Sequence, residues 1–83
     1  MEKILIEVVL PSASTSYDIY VPLSSPVSEV LFLISNLLSE LSSGYFKADK
    51  NTVLCDAETG NVLNINTTVF ESGLKNGSKL LLI

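Results

Sequence analysis

Eighty-three residues, 47% of them apolar, suit one domain with a modest core and leave no room for a wide substrate cleft. Nine acidic residues against five lysines and no arginine give a net charge of −4, which repels phosphate backbones and sets nucleic acid aside as a partner. Histidine is absent and cysteine occurs once, so the commonest general base, cysteine-rich metal sites and an internal disulfide are excluded together.

The first element is "KILIEVVL". Lys3 and Glu7 share one parity while Ile4, Ile6 and Val8 share the other, so a strand here turns the second set to a core and leaves Leu5 and Val9 outward. "PSASTS" interrupts with turn formers, and "YDIYV" resumes with Tyr17, Ile19 and Val21 inward and Asp18 and Tyr20 outward. The two strands form an antiparallel hairpin, over a link too long for a two-residue turn.

The period then changes. From Pro26 to Ser42 the spacing predicts a helix, with Ser25 as its cap and Pro26 at the first helical position. At about 100° per residue, Val27, Val30, Leu31, Ile34, Leu37, Leu38 and Leu41 fall in one arc. Ser28, Ser35, Asn36, Ser39 and Glu40 lie opposite, Leu33 sits at the border, and Gly44 stops the helix. Phe32 is out of place in the polar arc, where it either meets a partner or covers the loop beyond Gly44.

The second half has a shorter rhythm. "TVLC" reads as a strand, "DAETG" as a turn with Gly60 free to take positive φ, and "NVLN" as a very short strand. Thr68 precedes Glu71 by three residues, the capping-box spacing, and Gly73 ends about one helical turn. "KNG" turns the chain into "SKLLLI", where Lys79 marks the solvent side and assigns Leu80 and Leu82 to the core. An early hairpin needs a helix over its apolar face, and the late strands must widen the same sheet to finish burying that helix. The expected fold is therefore an α+β beta-grasp over residues 1–83: a mixed sheet of four or five strands, one main helix and a short helical turn before the last strand. That last strand lies between the first and third strands, parallel to the first.

Chemistry is sparse along this frame. Cys55 lies in an apolar strand and reads as a buried structural thiol, and Asp56 and Glu58 read as acids of a solvated turn, since Asp-x-Glu alone is no cation loop. "NGSK" lacks the glycine-rich loop of a phosphate site. No enzyme activity, cofactor or metal is expected. "VLFLI", the longest apolar run, is far below the roughly 20 residues that span a bilayer, and the opening "MEKILIEVVLPS" mixes charge into its apolar stretch, unlike an export signal. A cytoplasmic domain follows. The outward apolar set says more: Leu5, Tyr20, Leu81 and Ile83, joined by Leu54, are expected to merge into one patch for a protein partner, with Phe32 as a further candidate.

The element order resembles ubiquitin, and the stretches "YDIYVPLSSPVSEV", "TVLCDAETGNVLN" and "TVFESGLKNGSKLLLI" resemble the YukD/EsaB family of ubiquitin-like proteins tied to type VII (WXG100, Esx) secretion in Gram-positive bacteria. The resemblance implies a cytoplasmic accessory protein that supports export of WXG100 substrates and touches membrane components of the machine. Similar domains are also fused to the EccD-type membrane component, so the chain is either a free protein or such a domain. Ubiquitin reacts through a diglycine tail; this chain has no Gly-Gly, and no covalent conjugation is expected. By position, Leu54 and Ile83 resemble two members of ubiquitin's apolar patch and Leu81 replaces a nearby histidine. Self-association through the same face, or a general interaction role, are the alternatives.

Overall fold

The computed structural model describes residues 2–44 and 46–83. Strand β1 (Lys3–Leu10) buries Ile4, Ile6, Val8 and Leu10 on one face, as its alternation dictates. It pairs antiparallel with β2 (Thr15–Pro22), Ile6 opposite Ile19 and Leu10 opposite Thr15. Thr15 and Ser16 continue β2, so the link shrinks to a 3₁₀ turn at Pro11–Ala13 and Ser14, which adopts φ 50° and donates its N–H to the Pro11 carbonyl at 3.1 Å.

Helix α1 (Val27–Leu41) crosses the sheet and buries Val27, Val30, Ile34 and Leu38. Its start differs from expectation. Pro26, extended at φ −62° and ψ 144°, is the cap, and its carbonyl accepts the Glu29 and Val30 amides at 3.1 Å each. The Val27 amide donates to the Thr67 carbonyl at 2.8 Å, so a tertiary contact serves the helix end and no side-chain cap is made by Ser25. At the other end Gly44 takes φ 87° and donates to the Ser39 carbonyl at 3.3 Å. The Ser42 hydroxyl accepts the Phe46 amide at 3.0 Å, which draws Phe46 into the core.

The helix also sits rotated from the expected arc. Ser35 is buried, whereas Leu37 and Leu41 are 41% and 52% exposed. At about 100° per residue the apolar arc from Leu31 round to Leu33 spans roughly 160°, wider than the sheet beneath it covers. The surplus is the Leu33–Leu37 side.

Strand β4 (Lys79–Leu82) inserts between β1 and β3 (Leu54–Asp56), parallel to the first and antiparallel to the second, giving the order β2-β1-β4-β3. This is the expected beta-grasp order. Leu80 and Leu82 are buried as the lysine marker requires. Four strands form among the described residues; "NVLN" contributes only an isolated bridge, Val62 to Cys55, flanked by Asp56 N–H to Asn61 carbonyl (2.8 Å) and Leu63 N–H to Leu54 carbonyl (2.9 Å). In "DAETG" the Asp56 carboxylate accepts the amides of Glu58 (2.8 Å) and Thr59 (3.2 Å), and Gly60 takes φ 78° while donating to the Asp56 carbonyl. The capping box forms reciprocally: Thr68 N–H donates to the Glu71 carboxylate at 2.9 Å, and Glu71 N–H to the Thr68 hydroxyl at 3.1 Å. That turn places Val69, fully buried, under the helix start, where its amide donates to the Ser25 carbonyl at 2.9 Å.

Candidate protein-docking surface

The sheet face away from α1 is organised by strand register. Leu5 stands opposite Tyr20; Glu7 lies between Asp18 and Lys79; Val9 lies between Ser16 and Leu81, and Leu81 is opposite Cys55. Ile83 follows Leu81 on the same face, with its backbone bonded both ways to Val53 at 2.8 and 3.0 Å. Tyr20 and Ile83 are 68% and 55% exposed, while Leu5 and Leu81 are half-buried. The 76–77 turn is fastened beside Leu5, where the Asn76 side-chain oxygen accepts the Leu5 amide at 2.8 Å and Gly77 donates to the Leu5 carbonyl at 2.8 Å.

One expected member does not belong. Leu54 pairs with Leu82 and is 2% exposed, so it faces the helix, not the open side. Cys55 takes the open-face position instead, and it is buried there because its small side chain sits between the larger cross-strand neighbours Leu81 and Val62. Nor do the remaining residues form one continuous patch. From Leu5 to Val9 the strand advances about 13 Å, and the charged row Asp18–Glu7–Lys79 lies between. Two apolar islands result: Leu5 with Tyr20, and Val9 with Leu81, Ile83 and Val53. Phe32 belongs to neither. It is 65% exposed on α1, in the opposite layer, at the rim of a groove against the 48–52 loop.

Sequence reasoning missed a second exposed set. Leu33 and Leu37 flank a groove of about 160 Å³ between α1 and β2, lined also by Ile19, Val21 and Val30. The over-wide apolar arc of the helix was its signal. Phe70, 72% exposed on the turn after the capping Thr68, carried no signal beyond its being aromatic.

No family model matches this chain, and no curated protein matches it by sequence. Solved structures do match. The ubiquitin-like domain of the Mycobacterium tuberculosis type VII secretion protein ECCD1 superposes with a TM-score of 0.80 at 15% identity, covering 100% of this chain and 99% of that one. Ubiquitin of Caldiarchaeum subterraneum gives 0.74 at 18% identity, covering 99% and 92%. The chain has a ubiquitin-like beta-grasp fold. A chain of the ESX-5 inner membrane complex also matches, with a TM-score of 0.74 at 18% identity, and this ubiquitin-like domain spans 21% of its length. No described helix of the ubiquitin-like domain is long and apolar enough to cross a membrane. What its open face offers chemically is desolvation: an aromatic and several aliphatics beside a mixed-charge row able to fix a partner's orientation.

Proposed function

We propose that this ubiquitin-like domain is a non-catalytic docking module of a type VII secretion system, meeting a membrane component of the machine on the cytoplasmic side through the open face of its sheet. The observation that carries the reading is the pairing of two facts. The fold matches the ECCD1 domain end to end, and the sheet face away from the helix keeps Tyr20 and Ile83 largely exposed. The YukD/EsaB reading makes the chain a free accessory protein for WXG100 export. A second reading makes it the N-terminal domain of an EccD-type membrane component, and the likeness to the ECCD1 ubiquitin-like domain supports it. Both use the same face, without covalent conjugation.

The test is affinity capture from detergent-solubilised Gram-positive membranes with native protein, Tyr20→Asp and Leu81→Asp. Each variant removes one apolar island. Type VII membrane proteins should be recovered by the native form and lost with at least one variant, at about 1–3 kcal/mol for a hot-spot residue. Recovery of the same proteins by all three, with a native mass in solution equal to a dimer, replaces this reading with self-association.

A further inference from the structure

The sheet has two edges, and they are treated differently. The outer edge of β3 is closed by the bridge at Val62 and its two flanking backbone bonds. The outer edge of β2 is open. Leu23 donates to the Glu2 carbonyl at 3.0 Å in the same register that pairs Ile4 with Val21 and Ile6 with Ile19. In an antiparallel ladder bonded pairs alternate, so Tyr17, Ile19 and Val21 turn their backbone groups to β1. Ser16, Asp18 and Tyr20 turn theirs outward, and none has a hydrogen-bond partner among the described residues. Natural edges are protected by charged side chains, lysine above all, by proline or by a bulge; β2 carries no lysine, its one charge is Asp18, and its sole proline is Pro22, at the last position.

Beside this edge lies the apolar surplus of α1. Glu29, Leu33, Leu37 and Leu41 follow one another at four-residue spacing and so form one row on the helix. Leu33 and Leu37 line the groove floored by Ile19, Val21 and Val30. Its charged surroundings are acidic: Glu29 lines it, Asp18 stands on the free edge, and Glu40 follows Leu37 by three residues. No lysine lines the groove; Lys3 lies across from Pro22 at one end, on the open face.

We propose that the free edge of β2 and the groove beside it are a second docking site, which takes an extended aliphatic strand with basic flanks from a partner protein. Three residues with outward N–H and C=O groups offer up to about six backbone hydrogen bonds to a strand of about five residues. Alternate side chains of that strand enter the groove against Leu33 and Leu37, and the others lie beside Asp18 and Tyr20. A second copy of this chain fits less well, because a twofold pairing of β2 strands brings Asp18, Glu29 and Glu40 of both copies together. The site borders the open face at Tyr20, which also lines the groove, whereas Val9, Leu81 and Ile83 lie outside it, so Leu81→Asp separates this docking from the one proposed there and Tyr20→Asp does not.

The experiment uses the whole chain and the peptide acetyl-Lys-Ile-Val-Ile-Val-Lys-amide, followed by backbone amide spectra and hydrogen exchange. Expected are shifts at Leu33 and Leu37 and exchange protection of the Ser16, Asp18 and Tyr20 amides. A peptide with both lysines replaced by glutamate, and one with its central isoleucine replaced by proline, should each bind about tenfold more weakly. Leu33→Asp and Leu37→Asp should weaken binding about tenfold, and both positions are exposed, so the fold survives them. Leu81→Asp should leave peptide binding unchanged whatever it does to open-face docking. The proposal is overturned if no peptide binds, if the proline peptide binds equally, or if the shifts centre on Leu5 and Leu81. Protection of the three amides that grows with protein concentration alone, with a dimer mass, overturns it in favour of a second copy.

Discussion

Truncating Leu54 to alanine tests the register of β3 and the identity of the open face in one measurement. Leu54 is 2% exposed opposite Leu82, itself 1% exposed, on the helix side of the sheet. The change removes three carbons, about 2.4 kcal/mol of transfer free energy at ~0.8 kcal/mol each. A residual cavity adds to that, so the total is about 3 kcal/mol. An 83-residue domain at 0.05–0.15 kcal/mol per residue has only about 4–12 kcal/mol to lose. With a urea slope of about 1.5 kcal/mol per molar, the midpoint should fall by about 2 M at unchanged slope. Leu81→Ala, on the half-buried open face, should cost less than about 1.5 kcal/mol and move the midpoint by less than about 1 M. Urea titrations followed by far-ultraviolet circular dichroism give both values. Equal losses, or a larger loss for Leu81, would refute the assignment of Leu54 to the core.

Ser42→Ala strips the Phe46 amide of its acceptor and should cost about 1–2 kcal/mol in the same titration, while Ser43→Ala, on an exposed neighbour, should stay within about 0.5 kcal/mol. Glu71→Ala opens half of the capping box and should cost about 1 kcal/mol; a null effect would mean that the Thr68 amide finds water without loss. Cys55, 4% exposed, should react with a thiol reagent far more slowly in native protein than in urea, and equal rates would show an accessible thiol. Gly60→Ala places a Cβ at φ 78° and should cost about 1 kcal/mol, seen as a fall in thermal midpoint of roughly 4–8 °C.

Where a charge marks one side of a strand, the sequence announces its faces. Lys3 and Glu7 do this for β1 and Lys79 does it for β4, and burial follows both. Strand β3 carries no such marker, for Leu54 and Cys55, and Val53 just before them, are all apolar. The polar residue that shares Leu54's parity, Asp56, sits at the strand end with its carboxylate bonded to the turn amides, so it does not report a solvent face. Parity there is decided by pairing with Leu82, a contact 28 positions away. The helix was legible as an element and less so as a face. Seven aliphatics in one arc promise burial, yet the sheet beneath is too narrow to reach Leu37, and Leu41 lies at the end of the last turn. The two-island layout was hidden for a related reason. Outward parity can be read strand by strand, but only the β1–β4 register sets Lys79 beside Glu7, between Leu5 and Val9.

The parallel pairing of β4 with β1 governs when this sheet can close. Val8 and Leu80 are neighbours in space and 72 positions apart in the chain, so a large loop must close before their contact rewards it. The hairpin β1–β2 and helix α1 are local and can form early, whereas the centre of the sheet waits for residues 79–82. Until they arrive, β1 and β3 are both open edges flanked by aliphatic side chains, a transient state prone to pair with other chains. Substitutions that slow the docking of β4 therefore lengthen that interval even where the finished domain tolerates them, and their mark is yield of soluble protein before it is loss of stability.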